Sequence, residues 1–501
     1  MNRSKRSLRN LISSLGLNGV TILASFVATP IILTALGDIR FGLFRTIFEW
    51  IGFTSILSVS YLSFSSQLLA RQKNLPQKNF DSLRSYFLFG LKLVIYLIPL
   101  SSIFIFASPY LMGAPVELWS NVRWSSLIAC ASLLFIPCLI FQSYLEADNR
   151  SYVVNSVMVF QRLAVILLSV LGAIQFQNIE SQFLVLLLGQ ILFFIIIFRQ
   201  SKIELKLFKN LNHVTSDSAK KSHWNNILPF VKIEAAGKLG MSADTIIISM
   251  ILGPNYVTQF YLLIRLPSLF IGQLMSLGNS VWAGFAQVYK EGGDVKGLFL
   301  KLTKAVAILS SACGGSIFIF NSDFLQLWLS RDFEQNIFFN AVIGINVYFI
   351  SLISFFGWML TAVHGENEFA KASLVSSLAN IFIGISSTFY FGLLGPLLGS
   401  LLGYGLIKMI WVIKALKVRI QVYFMNFVEI ALMPLFFAGF YFYAIYFIRD
   451  YINLLELNWM SLILFGICTN VAYLFLAWFI LLRHDEQKHW QNKILGKIGR
   501  A

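Results

Sequence analysis

Six cations and three carboxylates stand inside otherwise apolar stretches of this sequence: Arg45, Lys92, Arg162, Lys232, Lys238 and Arg265, with Glu49, Glu234 and Asp244. Charge in such surroundings is costly and marks a functional position by default. The excess of cations selects anions. Arginine's planar fork suits a phosphate or diphosphate, whose oxygens it binds bidentately. A carrier of organic cations needs the opposite excess.

Depth ranks these residues. Lys92 and Lys232 lie about six residues, or roughly 9 Å, from the end of their stretch, so snorkelling to the interface competes with a functional role. Arg45 sits near an edge too, and a helical i,i+4 pair with Glu49 is its plainer reading. Glu234 and Lys238 share that spacing, so mutual neutralisation stands beside function. Arg162, Lys238, Asp244 and Arg265 are too deep to escape. They need a wet cavity or a charge partner. Asp244, six residues past Lys238, points elsewhere and is the candidate for a coupling cation.

The elements that must position these residues are membrane helices. Hydrophobic residues make up 57% of the 501 and charged residues 12%, against about 25% charge in a soluble domain. The mean hydropathy is +0.73. The apolar blocks are continuous, which excludes an outer-membrane barrel with its alternating strands. With about 20 apolar residues per crossing, fourteen spans are expected: 11–36, 42–70, 86–112, 122–147, 152–174, 181–201, 227–252, 256–287, 299–322, 337–363, 369–391, 394–416, 425–448 and 458–482. The first is too long for a signal peptide and leads into the next, so it is expected to be retained. The fold class is therefore an all-α polytopic membrane protein.

A net charge of +16 fits cytoplasmic loops better than nucleic-acid binding. With the N-terminus inside, 29 Lys and Arg fall in inner loops and ends and 4 in outer loops, which places both termini in the cytoplasm. Cys130, Cys138, Cys313 and Cys468 lie in apolar blocks with no C-x-x-C pair, so no disulfide framework or zinc site is expected. The five histidines lie in loops or at helix ends, with none placed as a mid-membrane proton relay. No G-x-x-x-x-G-K-[ST] loop occurs, so ATP is not the direct driver. No catalytic residue, metal or cofactor is assigned.

The chain repeats. Leu36-Gly37 and Leu252-Gly253 are 216 residues apart, and the same offset carries spans 1–6 onto spans 7–12. Asp148-Asn149-Arg150 matches Glu366-Asn367-Glu368. An even number of helices per unit relates the halves by a pseudo-two-fold axis along the membrane normal. The expected organisation is a six-helix lobe at 1–202, a basic cytoplasmic linker at 203–226 and a second lobe at 227–418. Helices 13–14 follow at 419–482, and a basic tail at 483–501. Gly395, Gly399 and Gly403 form G-x-x-x-G-x-x-x-G, a close-packing signal. Pro30, Pro99, Pro137, Pro229, Pro267 and Pro434 either let helices bend or kink them statically. The aromatic stretch 436–447 reads as lipid-facing, with a groove for a lipid tail as the alternative.

Four segments resemble a known family: Arg40-Phe41-Gly42-Leu43-Phe44-Arg45-Thr46-Ile47 after Leu36-Gly37; Glu234, Gly237, Asp244-Thr245-Ile246-Ile247 and Leu252-Gly253; Tyr261-Leu262-Leu263-Ile264-Arg265-Leu266-Pro267; and Gly392-Leu393-Leu394-Gly395-Pro396. They resemble polysaccharide (O-antigen, Wzx-like) flippases of the multidrug/oligosaccharidyl-lipid/polysaccharide exporter superfamily. The resemblance implies a V-shaped pair of lobes in a bacterial inner membrane. It implies a polyprenyl-diphosphate-linked oligosaccharide turned from the cytoplasmic to the outer leaflet for surface polysaccharide synthesis. A polysaccharide polymerase and chain-length proteins are implied partners beside the membrane lipids. Related lipid II flippases offer arginines from helices 1, 2 and 8 to the diphosphate. Arg45 and Arg265 match the second and third, and helix 1 has no charge between 11 and 36, so Lys238 or Arg162 is expected to stand in. Coupling to a cation gradient or the membrane potential follows.

Two rival readings are weighed. A multidrug exporter of the same superfamily needs cavity carboxylates and usually twelve spans. A membrane glycosyltransferase or polysaccharide polymerase needs sizeable outer loops. Here the longest is about 321–336, with Asp323, Asp332 and Glu334 as its acids.

Overall fold

The computed structural model describes residues 3–72, 79–148, 150–201, 217–331, 337–452, 458–484 and 486–487. The expected linker up to residue 216, the tail from 488, Asn149, and Asp332 and Glu334 lie outside them. The helices are α1 (Arg3–Leu36), α2 (Asp38–Gln72), α3 (Asn79–Leu111), α4 (Trp119–Ala131), α5 (Leu139–Ala147), α6 (Ser151–Phe176), α7 (Ile179–Ser201) and α8 (Asp217–Ile251). After these come α9 (Pro254–Leu263), α10 (Arg265–Lys290), α11 (Val295–Leu329), α12 (Ile337–Ala362), α13 (Glu366–Phe391), α14 (Leu394–Ser400) and α15 (Met409–Ile420). The last are α16 (Phe424–Phe427), α17 (Met433–Ile452) and α18 (Trp459–Ile480).

Among the described residues, twelve segments are long and apolar enough to cross a membrane, or thirteen if α9 and α10 form one bent span. The difference from fourteen lies in α8. It is 35 residues long, but Lys232, Glu234, Lys238 and Asp244 dilute its apolar character, and only Ser242–Ile251 forms a short apolar segment. The outward face is apolar, with Leu23, Phe106, Phe382 and Phe440 each more than two-thirds exposed. Water would penalise such a surface, and lipid hydrocarbon does not. The chain is a multi-pass membrane protein.

Two compact units divide the chain, Met1–Gln259 and Phe260–Ala501. In the first, α8 packs along α2, although the repeat assigns it to the second half. Close approach explains part of this. A Cβ at Gly42 would collide with the Pro254 carbonyl. The Ser249 hydroxyl donates to the Met112 carbonyl (3.0 Å), and the Thr258 hydroxyl donates to that of Asp38 (2.6 Å). An aromatic core holding Tyr61, Phe64, Tyr86 and Phe89 fills the space between α2 and α3.

The second unit is zipped by small residues. Gly314 of α11 and Gly344 of α12 meet backbone to backbone, where a Cβ on either would lie 2.5 Å from the other's carbonyl oxygen. The three-glycine repeat faces α13. Gly395 abuts Thr388, Gly399 abuts Asn380 and Gly384, and Gly403 abuts Asn380 and the Ser376 carbonyl. The span after α14 continues as a π-helical stretch, Leu401–Lys408. A second π-helical stretch, Val428–Leu432, precedes α17, and the buried Tyr348 hydroxyl donates to its Ala431 carbonyl. Such extra-residue turns expose carbonyls that a side chain must satisfy.

Ion pairs also join elements of this unit. Lys304, near the start of α11, has its side chain 4% exposed and its ammonium 2.9 Å from Glu486. Arg483 pairs with Glu429 at 2.6 Å and Arg449 with Asp323 at 2.7 Å. These contacts clasp the end of α18 and α17 onto the unit.

Candidate functional site

The first unit brings three of the nine charges singled out in the sequence into one cluster. Glu49, on α2, accepts from Arg45 one turn earlier, with Nη2 3.4 Å from Oε1. Its other oxygen, Oε2, lies 3.8 Å from the Lys238 ammonium of α8. Lys238 also donates to the Ser242 hydroxyl at 3.2 Å. The Arg45 guanidinium stands 5.2 Å from the Phe48 ring centroid, within cation–π range. All three charged side chains are partly exposed, at 20% for Arg45, 16% for Glu49 and 34% for Lys238.

Gly52 makes room for it. A Cβ there would lie 2.7 Å from the Lys238 Nζ and 3.3 Å from its Cε. Gly52 is one turn past Glu49 on the same face of α2, and that spacing is its signal in the sequence. Ser242, one turn past Lys238, is readable in the same way. The Glu49–Lys238 pair is not, because it joins two helices. Helical spacing favoured Glu234 as the partner of Lys238. Among the described residues no salt bridge joins those two, though their charges still act on each other.

Arg265 belongs to the second unit, at the first turn of α10. It sits where α9 and α10 meet at 52°. The break has a local cause. Pro267 has no N–H, so the Leu263 carbonyl loses its helical donor. The buried Asn321 of α11 supplies one instead, its amide 3.2 Å from that carbonyl. Asn321 is held in turn by Asn340 at 3.2 Å, and Asn340 by Ser322 at 2.8 Å. The Arg265 guanidinium packs 5.5 Å from the Tyr261 ring centroid. Polar satisfaction of the freed backbone fixes the position of this cation, and sequence reading missed Asn321 entirely.

The remaining candidates are dispersed. Arg162 is exposed on α6, and Lys92 is half-buried on α3. Glu234 and Asp244 are half-buried on α8, one turn before Lys238 and six residues after it. Lys408, near the cytoplasmic end of its expected span, is buried in the π-helical stretch, 4.5 Å from the Phe369 ring centroid and 5.0 Å from that of Tyr404. No group of three or more His, Cys, Asp or Glu able to hold a metal occurs among the described residues. In the second unit a cavity of about 430 Å³ lies between α11, α12 and α17, bounded by Gly314, Gly344, Tyr348, Phe440, Phe442 and Tyr443. Part of the aromatic stretch therefore borders a cavity, while Phe436 and Phe447 face outward.

No protein-family profile matches the chain, and no curated protein matches its sequence. Solved structures do match its fold. A lipid II flippase, MurJ, in an inward closed conformation is similar with a TM-score of 0.72 at 16% identity, over 95% of this chain and 99% of that one. An inward-facing multidrug resistance MATE family transporter of the MOP superfamily gives 0.67 at 14%, over 80% and 94%. A MOP superfamily transporter from Pyrococcus furiosus, described as having a binding pocket of reverse polarity, gives 0.54 at 14%, over 83% and 94%. The fold of this chain is that of the MOP superfamily transporters.

Proposed function

We propose that this chain is a glycan-lipid flippase. It carries a polyprenyl-diphosphate-linked oligosaccharide from the cytoplasmic to the outer leaflet of a bacterial inner membrane by alternating access, serving surface polysaccharide synthesis. The observation that carries this reading is the Arg45–Glu49–Lys238 cluster: two cations to one carboxylate, partly exposed, with Arg45 and Glu49 on a helix long and apolar enough to cross a membrane. Arg45 and Lys238 are the diphosphate donors in this reading, and Arg265, Arg162 and Lys92 are further anion-binding candidates. The end-to-end likeness to a lipid II flippase supports it, since the MATE transporter covers only four-fifths of the chain.

The physics is favourable. The lipid chain stays in hydrocarbon, with the apolar cavity beside α17 as a place for part of it, while the charged head crosses. Moving an anion out of a negative interior is downhill by about 2.3 kcal/mol per charge per 100 mV, so a diphosphate gains roughly 4–5 kcal/mol. A cation entering on Asp244 resets the carrier. Replacing Asp244 by Asn is expected to remove the dependence of transport on the ion gradient, and full retention of that dependence would refute the assignment. Both termini are cytoplasmic in this reading, and a polymerase and chain-length proteins act downstream.

Multidrug export is the second reading, favoured by the MATE likeness. A deletion strain separates the two when its glycan lipids and surface polysaccharide are assayed together. Loss of surface polysaccharide with accumulation of cytoplasm-facing diphosphate-linked glycan is the expected result. Unchanged glycan lipids with raised sensitivity to cationic drugs would establish the exporter.

A further inference from the structure

Six ion pairs among the described residues fall into two kinds. Four are tight: Lys304–Glu486 at 2.9 Å, Arg449–Asp323 at 2.7 Å, Arg483–Glu429 at 2.6 Å and Arg419–Glu368 at 2.5 Å. The two made by Glu49 are loose, at 3.4 Å to Arg45 and 3.8 Å to Lys238. Glu49 also has the least exposed side chain of the three, behind two cations that are more open. The four tight ones lie at charge-assisted hydrogen-bond distance. Here one carboxylate spans two cations on two helices, with a long hydrogen bond to Arg45 and a charge contact to Lys238.

We propose that Glu49 is the resident counter-anion of the site, holding the place that a substrate phosphate takes. This rests on the reading of Arg45 and Lys238 as diphosphate donors. A carboxylate oxygen and a phosphate oxygen accept from the same guanidinium and ammonium donors. Without substrate, Glu49 keeps the two cations together and neutralises part of a charge that is costly inside a membrane. An arriving diphosphate carries more charge, displaces the carboxylate and takes both donors. The displaced Glu49 then faces the bound anion and repels it. When the head group must leave, Glu49 re-pairs with Arg45 and Lys238 and sets a limit on residence time. A carrier site needs binding favourable enough to load and weak enough to unload, as conduction sites do. Cations alone would load well and release slowly.

The test uses the full-length protein in detergent with inorganic pyrophosphate as the probe, read by ligand-dependent shift of the melting transition and by calorimetry. Glu49→Gln keeps shape and removes charge, and is expected to bind pyrophosphate about tenfold more tightly than the wild type. In a deletion strain it should restore less surface polysaccharide than the wild type at equal protein level, because release is slowed. Glu49→Ala, which removes the group altogether, should also bind more tightly. It guards against a folding defect peculiar to one variant. If the wild type binds and both variants bind equally or more weakly, Glu49 organises the donors rather than competing for them. The inference then fails while the flippase reading stands. If neither the wild type nor either variant binds pyrophosphate, both fail together.

Discussion

A chain in which Arg45 and Lys238 are both alanine is expected to support no glycan-lipid export. Expressed in a deletion strain, it should leave the surface without polysaccharide and the cytoplasm-facing lipid-linked glycan undiminished. Membrane levels of the protein should stay normal, since the cluster is partly exposed and its pairs are loose. A charge-assisted hydrogen bond contributes about 1.5–3 kcal/mol, so losing two such donors weakens pyrophosphate binding at least roughly a hundredfold. The removal also leaves Glu49 without either partner in the membrane, a bare carboxylate facing an incoming anion. Lys238→Arg is the informative companion, because Gly52 leaves room for the tip of the lysine and little more. Normal export by the double alanine variant would remove the cluster from the transport path.

Gly399→Val is expected to damage the fold itself. A Cβ at this position would lie 2.7 Å from the Asn380 carbonyl and side-chain oxygens and 2.8 Å from the Gly384 amide. Backbone cannot swing aside as a side-chain tip can, so α13 and α14 must separate. Overpacking costs typically 1–3 kcal/mol, and a backbone clash at the middle of a three-glycine seam stands at about 3 kcal/mol or above. The same substitution at Gly272, where a Cβ meets nothing within 4 Å, supplies the control. The Gly399 variant should melt lower and accumulate less in membranes, with the Gly272 variant near the wild type. Equal melting of the two would show that this seam yields.

Much of the fold is legible in the sequence because lipid imposes a simple rule: every crossing needs a long apolar helix. α8 escapes the rule because it carries the charges that make it interesting. The glycine seam was legible as a packing signal. The partners of single charges were not. Helical spacing pairs Arg45 with Glu49 correctly, since both lie on one helix. It cannot find the Glu49–Lys238 contact, which depends on how α2 and α8 pack. Arg265 stood out as a buried cation, but its setting depends on Asn321, an amide in another helix that answers a missing proline N–H. Lys304 and Lys408 lie near the cytoplasmic ends of their expected spans, where positive charge is ordinarily solvated, so their burial was not legible.

The Lys304–Glu486 pair has a consequence for synthesis. The two residues are 182 positions apart in the chain, and the ribosome makes the lysine first. While α12 to α18 are still emerging, the ammonium in α11 has no counter-charge from the tail. Removing one member of a buried pair costs about 3–5 kcal/mol, and until Glu486 is translated the nascent second unit is in that state. Its assembly therefore finishes only once Glu486 has been made, 182 residues after the lysine, and a chain terminated before Glu486 carries its own mark of incompleteness for quality control to read.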